Sequence, residues 1–257
     1  MHTMSTLDER RERASAGVAL THDTDGWYGD FARPRVYLQP IAAPSVLGLF
    51  GFAGATFIVA ANMAGWYGNA STPGYLFPFA AFFGGLAQFL AGMWAYRARD
   101  AVATLAHGTW GSFWLAYLIL NILVGTHVVA SPKPWYHNPE VGFWFFALAI
   151  TTGIACLAAL AESLGLVAVL GTLAAGSGIL AGAFVYGSHG WTQVAGWVFV
   201  VSAGLAWYMV LAMVTAASFG RTILPLFKYK RAANVPGGRP MRPIQLEWAE
   251  PGVKQGQ

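Results

Sequence analysis

Residues 83–114 read FGGLAQFLAGMWAYRARDAVATLAHGTWGSFW, two apolar runs joined by a short charged hinge. The hinge, Arg97-Ala98-Arg99-Asp100, holds the only formal charges between Val36 and Val129. Uncharged runs of this length are typical of membrane-spanning helices. The composition agrees, because 56% of the 257 residues are hydrophobic and 10% are charged, against about 25% charged residues in soluble domains. The sequence therefore predicts an integral membrane protein.

Six apolar stretches have the roughly 20 residues that a helix needs to cross a hydrocarbon layer about 30 Å thick. A β-barrel would need alternating strands of about ten residues, and these unbroken runs do not provide them. The pattern predicts an all-α integral membrane protein with six transmembrane helices per protomer. The stretches lie at about 46–67, 75–96, 109–130, 141–161, 164–186 and 192–217.

Lysine and arginine are concentrated on one predicted side of the membrane. Five lie in the N-terminal tail 1–43, two in the hinge region and seven in the C-terminal tail 218–257, while the loop 126–140 has one. Cytoplasmic segments carry the excess of basic residues. We therefore predict that both tails are cytoplasmic and that the six-helix domain occupies residues 44–217.

The tails give three further expectations. Residues 1–13 are charged and lack an apolar run, so we expect no cleavable signal peptide. The C-terminal tail is rich in proline, glycine and basic residues, a composition typical of disorder. Although the sequence pI is about 9.3, the basic residues flank the predicted spans, where they would meet anionic lipid headgroups. The bilayer, and not nucleic acid, is the expected partner.

Titratable residues are too scarce within the spans for enzyme chemistry. Outside the tails the carboxylates are Asp100, Glu140 and Glu162, all at predicted helix ends. No two of the six histidines have the spacing of a metal-binding helix, and Cys156 is the only cysteine. We expect no enzyme activity, no metal ion and no cofactor. Without a buried acid, a coupled proton would have to travel on the permeant or on a histidine near a helix end.

Polar and small residues within the spans have two interpretations. Hydrogen bonds between helices, worth about 0.6 kcal/mol each, explain most polar side chains in a membrane. A larger amide side chain costs more free energy to bury without a hydrogen-bond partner. Its presence in a span therefore favours the second interpretation, in which the side chain faces a permeant. Glycines at helical spacing in the first two spans indicate close helix packing. The candidate permeant-facing residues are Gln88, Asn62, Thr56 and Ser112.

Five stretches in this order resemble the acetate uptake transporter family, also known as the succinate–acetate permease or YaaH family. The resemblance covers residues 43–226 and implies a six-helix protomer, assembled as a hexamer, in which each protomer has its own pore for acetate and similar small carboxylates. The stretches are Leu47-Gly48-Leu49-Phe50-Gly51-Phe52, Phe83-Gly84-Gly85-Leu86-Ala87-Gln88, Ala91-Gly92-Met93-Trp94, Gly111-Ser112-Phe113-Trp114-Leu115 and Phe219-Gly220-Arg221-Thr222-Ile223-Leu224-Pro225.

The resemblance also implies residue roles. Phe52 matches the phenylalanine of a hydrophobic pore constriction, and Trp110 matches its aromatic partner, which is usually tyrosine. Gln88 matches the glutamine of the glycine–glutamine signature. The helix 5 member of the constriction falls among Leu170, Thr172 and Leu173, and the motif that opens helix 1 retains Pro44, Leu47, Gly48 and Leu49.

Three departures from the family pattern remove polar groups, and the first is at Ala43, where the motif that opens helix 1 has asparagine in the family. Ala95 stands where a glutamate usually ends helix 2, and Met213 stands where a bacterial relative has glutamate in helix 6. The predicted function is a permease or channel in the inner or plasma membrane for acetate and similar small monocarboxylates, with succinate as a further candidate and with proton linkage. The alternatives are a transporter of ammonium or another small solute, and a membrane sensor or assembly protein that does not transport.

Overall fold

The structure is a computed structural model, and it describes residues 42–228. Six helices are long and apolar enough to cross a membrane, and apart from one isolated bridge between Ser163 and Lys228 there is no β-structure in this range. The predicted all-α, six-helix fold is thereby confirmed. The helices are α1 (Pro44–Met63), α2 (Thr72–Ala98), α3 (Ala101–Gly125), α4 (Pro139–Ala159), α5 (Leu164–Tyr186) and α6 (His189–Phe219).

Polar residues define where four of the helices begin. Asp100, Asn138, Ser163 and Ser188 precede α3, α4, α5 and α6, and each side-chain oxygen accepts a hydrogen bond from a backbone N–H of the first turn. Such a cap satisfies one of the donors that a helix N-terminus leaves without an internal partner. The α1 helix begins instead with Pro44, whose missing N–H costs nothing at that position.

The start of α3 differs from the predicted one by eight residues. Asp100 Oδ1 accepts a hydrogen bond from the backbone N–H of Ala103 at 2.9 Å, so the helix begins at Ala101 and not at residue 109. The charged hinge is a turn in which Arg99 takes a left-handed conformation with φ of 54°. This correction places His107 inside the membrane-spanning helix.

The six helices pack as a closed ring. Each helix packs against the next along the chain, and α6 packs against α1. Glycines set the closest approaches, as the sequence predicts: a Cβ added at Gly92 would lie 2.7 Å from the backbone nitrogen of Gly108, and one at Gly111 would lie 2.6 Å from that of Phe89. Both contacts join α2 to α3 through backbone atoms, so no larger side chain fits there.

The second helix is irregular in its middle. Residues Ala80–Ala87 are π-helical, between the α-helical stretches Thr72–Phe79 and Gln88–Ala98. Pro78 lies just before this segment, and a proline removes one hydrogen bond of the regular helical pattern. The π-helical segment packs against both α1 and α3.

The segment that follows α6 folds back onto the helix ring. Gly220 ends α6 in a left-handed conformation with φ of 63°, which glycine adopts without strain. The Ser163 hydroxyl then donates to the Leu226 carbonyl at 2.7 Å, and the Tyr208 hydroxyl donates to the Pro225 carbonyl at 2.9 Å. The remaining tail residues, 1–41 and 229–257, lie outside the described residues. The cytoplasmic location of the tails and the disorder of the C-terminal tail therefore stay predictions.

Candidate functional site

Two cavities lie within the helix ring. The first, which we call the wide cavity, has a volume of about 1170 Å³ and is lined on its outer side by residues of the loops α1–α2 and α3–α4. The second, the narrow cavity, has a volume of about 50 Å³, room for a few water molecules, and reaches the hinge end of the ring. Trp110 and Leu173 line both cavities. The two residues therefore stand at the boundary between a wide and a narrow compartment.

The aromatic pair predicted from the resemblance lies at this boundary. The rings of Phe52 and Trp110 meet edge to face, with 6.4 Å between their centroids and an interplanar angle of 67°. Both side chains are buried. The indole N–H of Trp110 donates to the hydroxyl of Thr152 on α4 at 3.0 Å, which fixes the orientation of the indole ring.

Three residues of α5 were predicted as the remaining constriction member, and the structure separates them. Leu170 and Leu173 are buried and line the narrow cavity, and Leu173 also lines the wide one. The Thr172 hydroxyl bonds back to the Ala168 carbonyl of its own helix, and Thr172 lines neither cavity. The structure thus brings Leu170 and Leu173, but not Thr172, to the wall of the narrow cavity, and of the two only Leu173 packs in the same core cluster as Phe52 and Trp110.

Gln88 and His107 form a polar pair on the wall of the narrow cavity. Gln88 Nε2 lies 3.5 Å from His107 Nδ1, and the two residues are only 2% and 4% exposed. Gln88 Oε1 has no hydrogen-bond partner among the described residues. A buried amide oxygen without a hydrogen-bond partner is costly, and Gln88 is a residue of the narrow cavity wall.

The motif that opens α1 supports this polar pair. A Cβ added at Gly48 would lie 2.5 Å from the imidazole ring of His107, so glycine is the residue that lets the histidine occupy its position. Leu49 is buried and lines the narrow cavity, Pro44 forms the first turn of α1, and Leu47 is exposed on the outer face.

The other predicted polar residues are divided between the wide cavity and the outer surface. Thr56 and Asn62 both line the wide cavity. The Asn62 amide donates to the Tyr67 carbonyl at 2.7 Å, and burial raises the pKa of Tyr67, whose hydroxyl donates to the Ile58 carbonyl. Ser112 is exposed, its hydroxyl bonds to its own helix, and it lines an outer groove between α2 and α3.

The hinge end of the narrow cavity is its charged end. Asp100, Glu162 and Lys228 line the cavity there, together with Ser163. Met213, which stands where a relative has glutamate, lines the same cavity as an apolar residue. The charged groups therefore lie at the mouth, while the wall between mouth and boundary is mostly apolar.

The sequence of the six-helix domain identifies the family of this chain. The profile of the GPR1/FUN34/yaaH family matches residues 31–228. The chain belongs to this family. The match covers all six helices and the segment after α6, so family membership rests on the whole membrane domain.

Three relatives of this family member are described as transporters of small solutes. The chain is 25% identical over 189 residues to the Succinate-acetate/proton symporter SatP of Escherichia coli (strain K12), covering 72% of this chain and 95% of that protein. It is 28% identical over 189 residues to the Ammonia transport outward protein 2 of Saccharomyces cerevisiae, covering 72% of this chain and 67% of that one. A segment of 97 residues is 31% identical to the Acetate permease A of Emericella nidulans, covering 36% of this chain and 32% of that protein.

A solved structure has the same fold. The bacterial acetate channel SatP superposes with a TM-score of 0.67 at 24% identity, over 73% of this chain and 99% of that one. Together with the six apolar helices, these likenesses confirm the prediction of a multi-pass protein of the plasma membrane. The prediction that the family member is a transporter or channel and not an enzyme is confirmed by the same relatives.

Three residues of the site were not assigned to it from the sequence. His107 precedes the predicted third span, which begins at residue 109, Thr152 is one of several polar residues in the predicted fourth span, and Trp114 belongs to one of the stretches that resemble the family. The i, i+4 spacing of Trp110 and Trp114 is a signal for one shared helix face. No sequence signal indicates which helix supplies the partner of the Trp110 indole.

Proposed function

We propose that this chain lets acetate and similar small monocarboxylates cross the plasma membrane through a pathway within each protomer. The observation that carries the proposal is the boundary at Trp110 and Leu173, where a wide and a narrow cavity meet beside Phe52. The family membership and the descriptions of the relatives support acetate as the first substrate to test.

The chemistry of the boundary favours a small permeant that crosses as the neutral acid. The side chains at the boundary are buried and apolar, apart from the indole N–H of Trp110. They are Phe52, Trp110, Leu170 and Leu173. Removing water from an ion costs several kcal/mol, so an apolar passage resists a bare carboxylate. We propose these four residues as the constriction and a proton carried on the permeant as the source of proton linkage. Succinate, which is larger and has two carboxyl groups, should cross more slowly than acetate.

Polar residues on either side of the constriction are proposed as temporary contacts for the permeant. Thr56 and Asn62 would act in the wide cavity and Gln88 in the narrow one, because they line those cavities. Ser112 and Thr172 are left out of the pathway, since neither lines a cavity within the ring.

A homohexamer is the proposed assembly, on the basis of the resemblance. Large apolar side chains are exposed on the outer faces of the helices, which is compatible with contact between protomers and with lipid. Native mass spectrometry of the full chain in mild detergent should give the mass of six chains. A monomer that still transports would contradict the assembly.

Ammonium is the second candidate permeant. The unpartnered Gln88 Oε1 is an acceptor, which suits an N–H donor, and one relative is described as an outward ammonia transport protein. Purified chain in proteoliposomes separates the two candidates. We expect labelled acetate uptake above that of empty liposomes, inhibited by propionate and not by methylammonium; inhibition by methylammonium alone would replace acetate with ammonium as the permeant.

A further inference from the structure

The wall of the narrow cavity includes a piece of chain that is not part of the helix ring. Leu226 and Lys228, from the segment that follows α6, line the cavity at its hinge end. The other lining residues belong to the helices of the ring or to the short turns between them. We call residues 221–228 the strap. Segments with few packed contacts open at a lower free energy than packed helices, so the strap is the part of this wall that can move most easily.

The strap is attached to the ring through three successive backbone carbonyls. Each carbonyl accepts one hydrogen bond, and all three donors belong to α6 or to the start of α5. Two of the donors are side-chain hydroxyls, which a substitution can remove without changing the backbone. The bonds are Tyr208 hydroxyl to Pro225 at 2.9 Å, Ser163 hydroxyl to Leu226 at 2.7 Å, and Leu164 N–H to Phe227 at 3.0 Å.

The start of α5 is shaped to receive the strap. A Cβ added at Gly165 would lie 3.4 Å from the Leu226 carbonyl oxygen and 2.5 Å from the sulfur of Met209, so glycine lets the strap lie close to the helix. The Ser163 hydroxyl that donates to Leu226 also accepts from the N–H groups of Gly165 and Leu166. One hydroxyl therefore caps α5 and holds the strap.

Two features of the strap favour its release. Gly220, where the strap leaves α6, has no atom within 4 Å of the position that a Cβ would take, so the turn has space around it. Phe227 has a φ of 52° and is exposed. A left-handed conformation is unfavourable for a bulky residue and persists where the surrounding contacts enforce it. Release of the hydrogen bonds would remove this strain.

The position of the strap gives it a task. We propose that the strap is a gate at the hinge-end mouth of the narrow cavity, closed while its carbonyls are bonded to the ring and open when these bonds break. The proposal rests on the proposed function for the solute that passes. Lys228 of the strap shares this mouth with Asp100 and Glu162, and the attraction between opposite charges favours the closed position. Displacement of Leu226 would widen a cavity that holds only a few water molecules.

Thiol labelling measures the opening of the gate. Val102, a buried residue of the narrow cavity wall, is replaced by cysteine in a Cys156→Ala full chain in detergent, and its modification by a charged methanethiosulfonate reagent is timed. Tyr208→Phe removes one hydroxyl donor and keeps the ring. It should raise the labelling rate roughly fivefold, the change in equilibrium expected for one lost hydrogen bond. Ser163→Ala should act in the same direction and carries the test if Tyr208→Phe does not fold.

A matched control comes from another tyrosine. Tyr186→Phe removes the hydroxyl of an exposed residue at the end of α5 and should leave the labelling rate of the cysteine at position 102 unchanged. A rate in Tyr208→Phe equal to that of the chain with the natural tyrosine would overturn the gate.

A cross-link tests the closed position. Ser163 and Lys228 form an isolated antiparallel bridge, and residues paired in this way are close enough for a disulfide. In the Cys156→Ala chain, Ser163→Cys combined with Lys228→Cys should form a disulfide on oxidation and lose acetate uptake several-fold, and reduction should restore uptake. The two single cysteine variants should not respond to the oxidant. Failure of the disulfide to form, or full uptake by the cross-linked chain, would overturn the gate.

The two experiments separate the gate from the proposed function. Labelling of the cysteine at position 102 needs no transport, so faster labelling in Tyr208→Phe supports the gate even if the natural chain takes up no acetate. That outcome would remove only the proposed function. Acetate uptake by the natural chain together with unchanged labelling in Tyr208→Phe would remove only the gate.

Discussion

The indole N–H of Trp110 donates a hydrogen bond to the hydroxyl of Thr152, 3.0 Å away on the neighbouring helix α4. Tryptophan has no other polar atom in its side chain, so the only polar group of this side chain already has a hydrogen-bond partner within the protein. The ring is held edge to face with Phe52, and both side chains are buried. The constriction proposed at this pair would therefore present carbon atoms to the permeant, and the hydrogen bond to Thr152 holds the orientation of the indole ring.

Thr152→Val should weaken both the stability and the selectivity of the chain. The buried Trp110 N–H would lose its partner, which lowers the free energy of unfolding by about 1–3 kcal/mol. The indole ring could then change its orientation, and the passage would admit larger acids. We expect a lower thermal unfolding temperature in detergent and a larger uptake of butyrate relative to acetate. Thr152→Ser keeps the hydroxyl and should behave as the natural chain; equal changes in both variants would contradict the positioning role.

Gly48→Ala should displace His107 from the narrow cavity wall. The new Cβ would lie 2.5 Å from the imidazole ring, and overpacking of this kind costs about 1–3 kcal/mol. We expect reduced thermal stability and reduced acetate uptake. Gly54→Ala on the same helix is the matched control, because a Cβ there meets nothing within 4 Å; loss of uptake in both variants would show that the close contact with His107 is not the cause.

Uptake of acetate by proteoliposomes should increase as the external pH falls. A carboxylic acid has a pKa of about 4, so its neutral fraction grows nearly tenfold for each pH unit between 7 and 5. Because acetic acid also crosses lipid, the measured quantity is uptake above that of empty liposomes. Methanesulfonate stays an anion throughout this range and should be taken up poorly at every pH. Acetate uptake that is flat between pH 7 and 5 would contradict passage as the neutral acid.

The orientation of the helices can be tested with reporter fusions. A reporter that is active only in the cytoplasm should be active when fused after Gln257 or after Arg99, because the basic residues of both segments predict a cytoplasmic side. The same reporter fused after Pro134 should be inactive. Activity at Pro134 would reverse the predicted orientation.

Hydropathy was sufficient for the number of helices but not for every helix end. The prediction began the third helix at residue 109, because the residues after the hinge are less apolar than a typical span. The structure begins it at Ala101, since Asp100 caps the helix through the Ala103 N–H. Hydropathy measures the affinity of a segment for lipid, whereas a cap is a local hydrogen bond. Because the predicted third helix began at residue 109, His107 lay outside the predicted spans and was not assigned to the site.

The site could be predicted only where the family resemblance indicated residues. Phe52 and Trp110 lie together as expected, and Leu170 and Leu173 lie on the cavities, while Thr172 does not. The contact of Gln88 with His107 joins residues of different helices, and it depends on how those helices are rotated against each other. The sequence of a single helix carries no information on that rotation.

The size limit of the reconstituted chain tests the central claim most directly. Purified natural chain, Phe52→Ala and Trp110→Ala are compared in proteoliposomes by the ratio of succinate to acetate uptake, each corrected for empty liposomes. The account predicts a low ratio for the natural chain and a ratio raised several-fold in both variants, with the oligomer unchanged by native mass spectrometry. Folded alanine variants that keep the ratio of the natural chain would contradict it, because the aromatic pair would then be packing and the limit would lie elsewhere.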